Sequence, residues 1–312
     1  MGWSWMTGLV FGLCLSTAST VVLLRALEER QLIDSQRGQI AIGWLIVEDL
    51  VMVLALVLLP ALGGLLGESG TRPEGTGMGA ILAALGWTLL QVSLFVAVML
   101  VVGRRVIPWT LEKVAGTGSR ELFTLSVLAI ALGVAFGSAA LFGVSFALGA
   151  FFAGMLLNES ELSHKAANDS LPLRDAFAVL FFVSVGMLFN PAIVVQHPWQ
   201  VLATALIIMV GKSAAAFFIV RAFRHPKATA LTISASLAQI GEFAFIIAGL
   251  GVALQILPQT GLALVLAGAL ISIMLNPMIF MLLDRWEAAH REEVQVQPEP
   301  EVQPGPPLQP GN

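Results

Sequence analysis

Charge is scarce in this chain. Only 12% of its 312 residues are Asp, Glu, Lys or Arg, where a soluble domain carries about a quarter. So few charges cannot cover the surface of a water-soluble globule, and with 57% apolar residues and a mean hydropathy of +0.87 the balance falls to a membrane protein. Cysteine is nearly absent: Cys14 stands alone in an apolar stretch, which excludes a disulfide framework. No basic run suggests nucleic acid, and the net charge is −4. Short segments of alternating hydrophobicity are missing, which argues against a β-barrel. The first ten residues have neither a basic region nor a small-residue cleavage site, so they read as the start of a membrane segment, not a signal peptide.

What is present is a series of apolar stretches of about 20 residues, each long enough to cross about 30 Å of hydrocarbon. Nine are legible, over 3–24, 38–62, 79–102, 121–137, 139–157, 175–190, 199–220, 228–250 and 259–283, with the fourth and fifth divided at Gly137-Ser138. The basic residues orient them. Of sixteen, fourteen fall in alternate connections or after the last segment, Arg72 falls on the opposite side, and Lys212 lies inside a segment. Basic residues favour the cytoplasmic side, so the N-terminus is expected outside and the C-terminus in the cytoplasm. Residues 1–285 thus read as a transmembrane domain. Residues 286–312, rich in Pro, Gln and Glu, read as a disordered cytoplasmic tail with too little apolar surface to fold.

Ionisable groups within the hydrocarbon cost several kcal/mol unless they meet a cavity or a partner, so they mark function. Four qualify: Glu48 and Asp49 in the second segment, Lys212 in the seventh and Glu242 in the eighth. At 1.5 Å per residue, Asp49 and Lys212 lie about 17 Å and about 14 Å from the same side, so the two can meet near the midplane. A carboxylate there binds a dehydrated alkali ion when ionised and releases it when protonated. Burial favours the neutral form of such a group and a neighbouring cation the ionised form, which can poise it for exchange. A purely structural ion pair is the plainer alternative. Glu48, about 100° round the helix from Asp49, is open to either role.

The first and eighth segments share a second feature. One contains Ser16-Thr17-Ala18-Ser19-Thr20; the other contains Ser234-Ala235-Ser236 and then Gln239-Ile240-Gly241-Glu242. Small polar runs deep in a membrane helix let it break where the freed backbone lines protein or a cavity. Two broken helices of opposite direction build the midplane ion site of inverted-repeat transporters. Taken singly, each run suits ordinary small-residue helix packing; together, beside the charged helices, they favour a crossing. Asn276-Pro277 reads as a kink, and the histidines lie in connections, giving no support for a metal cluster. Most tryptophans read as interfacial anchors, leaving Trp44 unaccounted for.

Three blocks of sequence resemble the Kef-type branch of the monovalent cation:proton antiporter-2 family. They are Leu15–Pro60 with its Ser-Thr-Ala-Ser-Thr and Ile-Val-Glu-Asp-Leu-Val, then Pro172–Met187, then Ala238–Phe245 with Ala-Gln-Ile-Gly-Glu-Phe-Ala-Phe. The resemblance covers about residues 5 to 285. It implies an all-α polytopic fold with crossed, interrupted helices in inverted repeats, the first repeat incomplete because about three helices normally come before it. It implies Asp49, preceded by Glu48, as the cation- and proton-binding carboxylate, with Lys212 as charge partner. Ser16, Thr17, Ser19, Thr20, Gln239, Gly241 and Glu242 are then expected to line the interrupted helices. Potassium, with sodium second, is the expected ion, exchanged for protons by alternating access in the inner membrane, and a homodimer is the family expectation. No cofactor, enzymatic activity or nucleotide-binding domain is expected. The competing readings are a transport-incompetent fragment or assembly subunit that needs further helices, and a passive cation channel.

Overall fold

A computed structural model describes residues 2–66, 78–144, 146–158 and 162–289. Every regular element among the described residues is a helix. All nine expected segments appear. The first is α1 (Trp5–Ser16) followed by α2 (Thr20–Glu28), and the second is α3 (Gln36–Leu66). The third is α4 (Met78–Val98), which passes through a π-helical turn, Met99–Gly103, into α5 (Arg104–Ala115). Then come α6 (Arg120–Phe142), α7 (Phe146–Asn158) and α8 (Ser163–Leu188). After the short α9 (Ala192–Gln196), α10 (Pro198–Leu206) continues through a second π turn, Ile207–Gly211, into α11 (Lys212–Ala222). The eighth segment is α12 (Lys227–Ser236) and α13 (Glu242–Ala253), and the ninth is α14 (Gln259–Ala289). Seven of these runs are long and apolar enough to cross a membrane; α7 and the α12–α13 pair consist of shorter pieces.

Three boundaries differ from the sequence expectation, each for a local reason. The break between the fourth and fifth segments is at Gly143, not at Gly137-Ser138. Gly143 adopts φ +65°, and its N–H and that of Val144 bond back to Ala139 and Ser138, an αL ending that glycine alone adopts at little cost. Gly137-Ser138 stays helical because Ser138 and Ala135 form the surface on which α7 lies: a Cβ on Gly149 would come within 2.8 Å of Ala135 Cα. The helix α8 begins at Ser163, twelve residues before the expected 175, carrying its polar start beyond the apolar run. The stretch from Arg104 to Lys113, expected as connection, is amphipathic helix with Ile107 and Leu111 buried. Arg72 and the tail beyond Ala289 lie outside the described residues.

Packing sorts the helices into two bodies. One apolar cluster joins α1, α3, α13 and α14 with α10 and its π turn, through Val10, Met52, Ile208, Ile247 and Leu264 among others. A second packs α2, the start of α3, α11 and α12 around Leu27, Leu45, Val220 and Ile233. A separate cluster holds α4, α5, α6 and α7 around Phe95, Leu111, Phe123 and Leu148. Helix α3 borders both, sending Met52 and Leu56 to one side and Val53 to the other. Phe243, at the start of α13, also packs against both.

At their polar ends, Arg30 reaches Asp284 at 3.2 Å and lies over the Phe280 ring, Arg37 reaches Glu287 at 2.7 Å, and Arg120 reaches Asp169 at 2.8 Å. Each pair joins connections that the charge pattern assigns to one side.

Candidate functional site at the crossing of two broken helices

Residues Thr17 to Ser19 are extended between α1 and α2, and residues 237–241 separate α12 from α13. The hydroxyl-rich sequence stabilises the first break from both ends. Thr17 Oγ1 donates to the Cys14 carbonyl (3.1 Å), closing α1, and Ser19 Oγ accepts from Val22 N–H (3.3 Å), opening α2. The two breaks touch. A Cβ on Gly241 would overlap the Ser19 Cα and lie 2.7 Å from the Ser19 nitrogen, so only glycine permits the approach.

Gln239, fully buried, ties the two segments together with one side chain. Its Oε1 accepts from Ser19 N–H (2.9 Å), and its Nε2 donates to the carbonyls of Ser19 (3.1 Å) and Ser236 (3.2 Å). An extended backbone inside a membrane bundle has no water to bond, and Gln239 supplies what a strand neighbour would.

Lys212, first residue of α11 after the π turn, sends its ammonium to the same place. Nζ donates to the Thr17 carbonyl and to the Gln239 carbonyl, the latter at 3.0 Å. Both carbonyls follow the C-terminal ends of half-helices, where about half a negative charge accumulates, so one ammonium compensates two opposed helix ends. A π turn inserts one residue into the helical count, and such turns cluster at functional sites. Here it precedes the lysine that serves the crossing.

The three carboxylates have different partners. Glu48 Oε1 accepts from the Ala18 N–H within the break, and Glu48 Oε2 accepts from Trp44 Nε1 at 3.2 Å, one turn earlier. Lys212 has Glu48 as its acidic neighbour. Asp49 Oδ2 accepts from Thr20 Oγ1 at 3.3 Å, with Glu242 and Glu48 as its charged neighbours. Glu242, in the first turn of α13, accepts from Ser19 Oγ at 3.4 Å. Asp49, Glu48, Lys212 and Glu242 are all partly buried.

The structure therefore brings together Thr17, Ser19, Thr20, Glu48, Asp49, Lys212, Gln239, Gly241 and Glu242. Ser16 is apart from them: it is exposed and its hydroxyl turns back to the Leu13 carbonyl at 2.8 Å. Lys212, expected beside Asp49, spends its hydrogen bonds on backbone carbonyls instead. Two supporting residues carried no recognised signal. Trp44 holds Glu48, which its i to i+4 spacing would have revealed. Asn276, expected only as part of a kink, is buried in a helix that continues through Pro277, and its Nδ2 donates to the Ala235 carbonyl at the end of α12 (2.9 Å), which also accepts from Ala238 N–H (3.3 Å). Among the described residues no group of three His, Cys, Asp or Glu is placed to hold a metal ion.

A carboxylate on one hydroxyl, beside broken backbone and a committed ammonium, can bind either an alkali ion or a proton. Comparison with known sequences agrees with that chemistry. The sequence model of the family described as "Sodium/hydrogen exchanger, transmembrane" matches residues 1–284. The "Putative cation/proton antiporter YbaL" of Escherichia coli (strain K12) is 70% identical over 288 residues, covering 92% of this chain and 51% of that protein. The K(+) efflux antiporters 4 and 6 of Arabidopsis thaliana are 34% and 32% identical, each over 88% of this chain and 45% of their own length. The chain thus spans about half the length of these relatives. With its match running through all nine helical segments, this multi-pass membrane protein belongs to the sodium/hydrogen exchanger transmembrane family, on the cation:proton antiporter-2 side that its Kef-type blocks resemble.

Proposed function

We propose that this protein exchanges a monovalent cation for protons across the bacterial inner membrane, with Asp49 as the carboxylate that the two substrates share. The observation that carries the reading is the placement of Asp49. It lies at the crossing of two broken helices with the Thr20 hydroxyl on one oxygen, while the nearby lysine is engaged with backbone carbonyls. Ionised Asp49 accepts a cation stripped of water, with Thr20 and freed backbone oxygens replacing part of the hydration shell. Protonation neutralises the carboxylate and removes the attraction, so cation and proton occupy the site in turn. Glu48, fixed by Ala18 and Trp44, balances Lys212 and keeps the crossing intact.

Potassium is the first candidate cation and sodium the second; two of the relatives are named for potassium efflux. Two bodies that meet beside the carboxylates support alternating access. The body containing the crossing packs on the α4–α7 body through Val53, one turn from Asp49, and through Phe243, next to Glu242. Movement of one body along the other carries the carboxylates from one aqueous side to the other. The N-terminus faces outward, the C-terminus faces the cytoplasm, and a homodimer is the working assembly.

The test is reconstitution of the chain in liposomes, following internal pH on addition of potassium or sodium, beside Asp49→Asn. Cation-driven proton movement that disappears in the variant is expected. Exchange that persists undiminished in Asp49→Asn removes that carboxylate from the mechanism.

A further inference from the structure

The four ionisable groups at the crossing do not balance. They comprise one ammonium, Lys212, and three carboxylates, Glu48, Asp49 and Glu242. Glu48 has the Lys212 charge nearby together with the Ala18 N–H and Trp44 Nε1 on its two oxygens. Asp49 has one long hydroxyl contact, at 3.3 Å, and Glu242 has one at 3.4 Å together with its own backbone N–H in the first turn of α13. Two partly buried carboxylates thus remain without a compensating cation of their own, where uncompensated charge is costly.

The two are neighbours in charge and in structure. Glu242 acts on Asp49 electrostatically, and the hydroxyls that reach them belong to consecutive residues, Ser19 and Thr20. Ser19 is also the residue over which Gly241 crosses. Glu242 thereby contacts the break in the first segment from the start of its own helix. The next residue, Phe243, packs against both bodies, so Glu242 lies at their boundary.

Resting on the reading of Asp49 given above, we propose that Glu242 is a second substrate-binding carboxylate, which holds the monovalent cation jointly with Asp49 when both face it. The pair presents carboxylate oxygens from two helices, α3 and α13, with the hydroxyls of Ser19 and Thr20 beside them. Oxygen donors alone suit an alkali cation, and two carboxylates bind one cation more tightly than Asp49 alone. When the cation leaves, a proton taken up by the pair replaces its single positive charge. Glu48 takes no part, because its oxygens are already committed.

Cation binding to the purified full chain is read as the rise of its unfolding temperature with potassium or sodium chloride, choline chloride holding ionic strength constant. Wild type is expected to be stabilised, and Asp49→Asn to lose the effect. Glu242→Gln is expected to raise the half-saturating cation concentration about tenfold or more, the loss of one charge-assisted contact. Glu242→Asp, which withdraws the carboxylate by one methylene, is expected to raise it severalfold. Where Glu242→Gln does not fold, Glu242→Asp decides. Half-saturation within twofold of wild type in the folded Glu242 variants, with Asp49→Asn inactive, overturns this inference and leaves the Asp49 reading standing. Undiminished stabilisation in Asp49→Asn, or none in wild type, overturns both.

Discussion

The substitution that probes the crossing most directly is Gln239→Leu. Leucine matches the bulk of glutamine and its apolar surface suits a fully buried site, so the change isolates hydrogen bonding from packing. Three bonds are lost, at 2.9, 3.1 and 3.2 Å, and the N–H and C=O of Ser19 lose a partner 220 residues away. Each buried backbone group left unsatisfied costs about 1–3 kcal/mol. Side-chain bonds between membrane helices measure less, about 0.6 kcal/mol each on average, because the opened state also finds partners. The two scales meet at about 2 kcal/mol for the set. At about 2–4 °C per kcal/mol, the unfolding temperature should fall by about 4–8 °C. The assay is thermal unfolding in detergent, at one heating rate because membrane proteins unfold irreversibly. Exchange in liposomes should fall with it, since Gln239 holds the segment from which Ser19 and Thr20 reach the carboxylates. A Gln239→Leu protein that unfolds within about 1 °C of wild type would show that the crossing is held by something other than this side chain.

Three substitutions give further expectations. Gly241→Ala places a methyl against the Ser19 backbone, which cannot turn aside as a side chain can, and overpacking of that kind costs about 1–3 kcal/mol. Gly249→Ala on the same α13 meets open space and should be neutral or slightly stabilising, so thermal unfolding of the two variants must differ in sign or clearly in size. Trp44→Phe removes the Nε1 donor to Glu48 and should cost about 1 kcal/mol in wild type but little in a Glu48→Gln background, and equal losses in both would deny the contact.

The sequence exposes the order of the helical segments, both breaks and the acidic pair, because each depends on local composition. A run of small hydroxyl residues in a hydrophobic segment can be read without knowing its neighbours. The turn between α6 and α7 is harder. Gly137 and Gly143 are equally plausible in sequence, and the choice falls on Gly143 because Ser138 and Ala135 are needed as a surface for Gly149, a contact only the folded hairpin defines. Pairing inside the site is harder still. Counting along helices places Lys212 at the depth of Asp49 but says nothing of azimuth, and the π turn at Ile207–Gly211 shifts the face on which the lysine emerges. Asn276 escapes notice for a similar reason. Its partner, the Ala235 carbonyl, loses its i+4 backbone bond only because α12 stops one residue later, and it accepts from Ala238 N–H and Asn276 instead.

The contacts of Lys212 bear on why a lysine stands in this position at all. Were its purpose to neutralise Asp49, any placement within a few ångströms would serve. It would also compete with the transported cation for the same oxygen. The structure instead gives the ammonium to two carbonyls, one from each broken helix, and leaves Asp49 on a hydroxyl. A donor that joins the Thr17 and Gln239 carbonyls holds the two breaks together whether or not the carboxylates carry protons. On the proposed reading, binding and release at Asp49 and Glu242 proceed without loosening the crossing, because the charge that stabilises the backbone differs from the charge that is exchanged. Glu48 completes that separation, accepting from Ala18 between the two carbonyl-bearing segments and standing next to the same ammonium. On the proposed reading, the adjacent acidic residues of α3 divide the work, Glu48 holding the backbone and Asp49 facing the substrate.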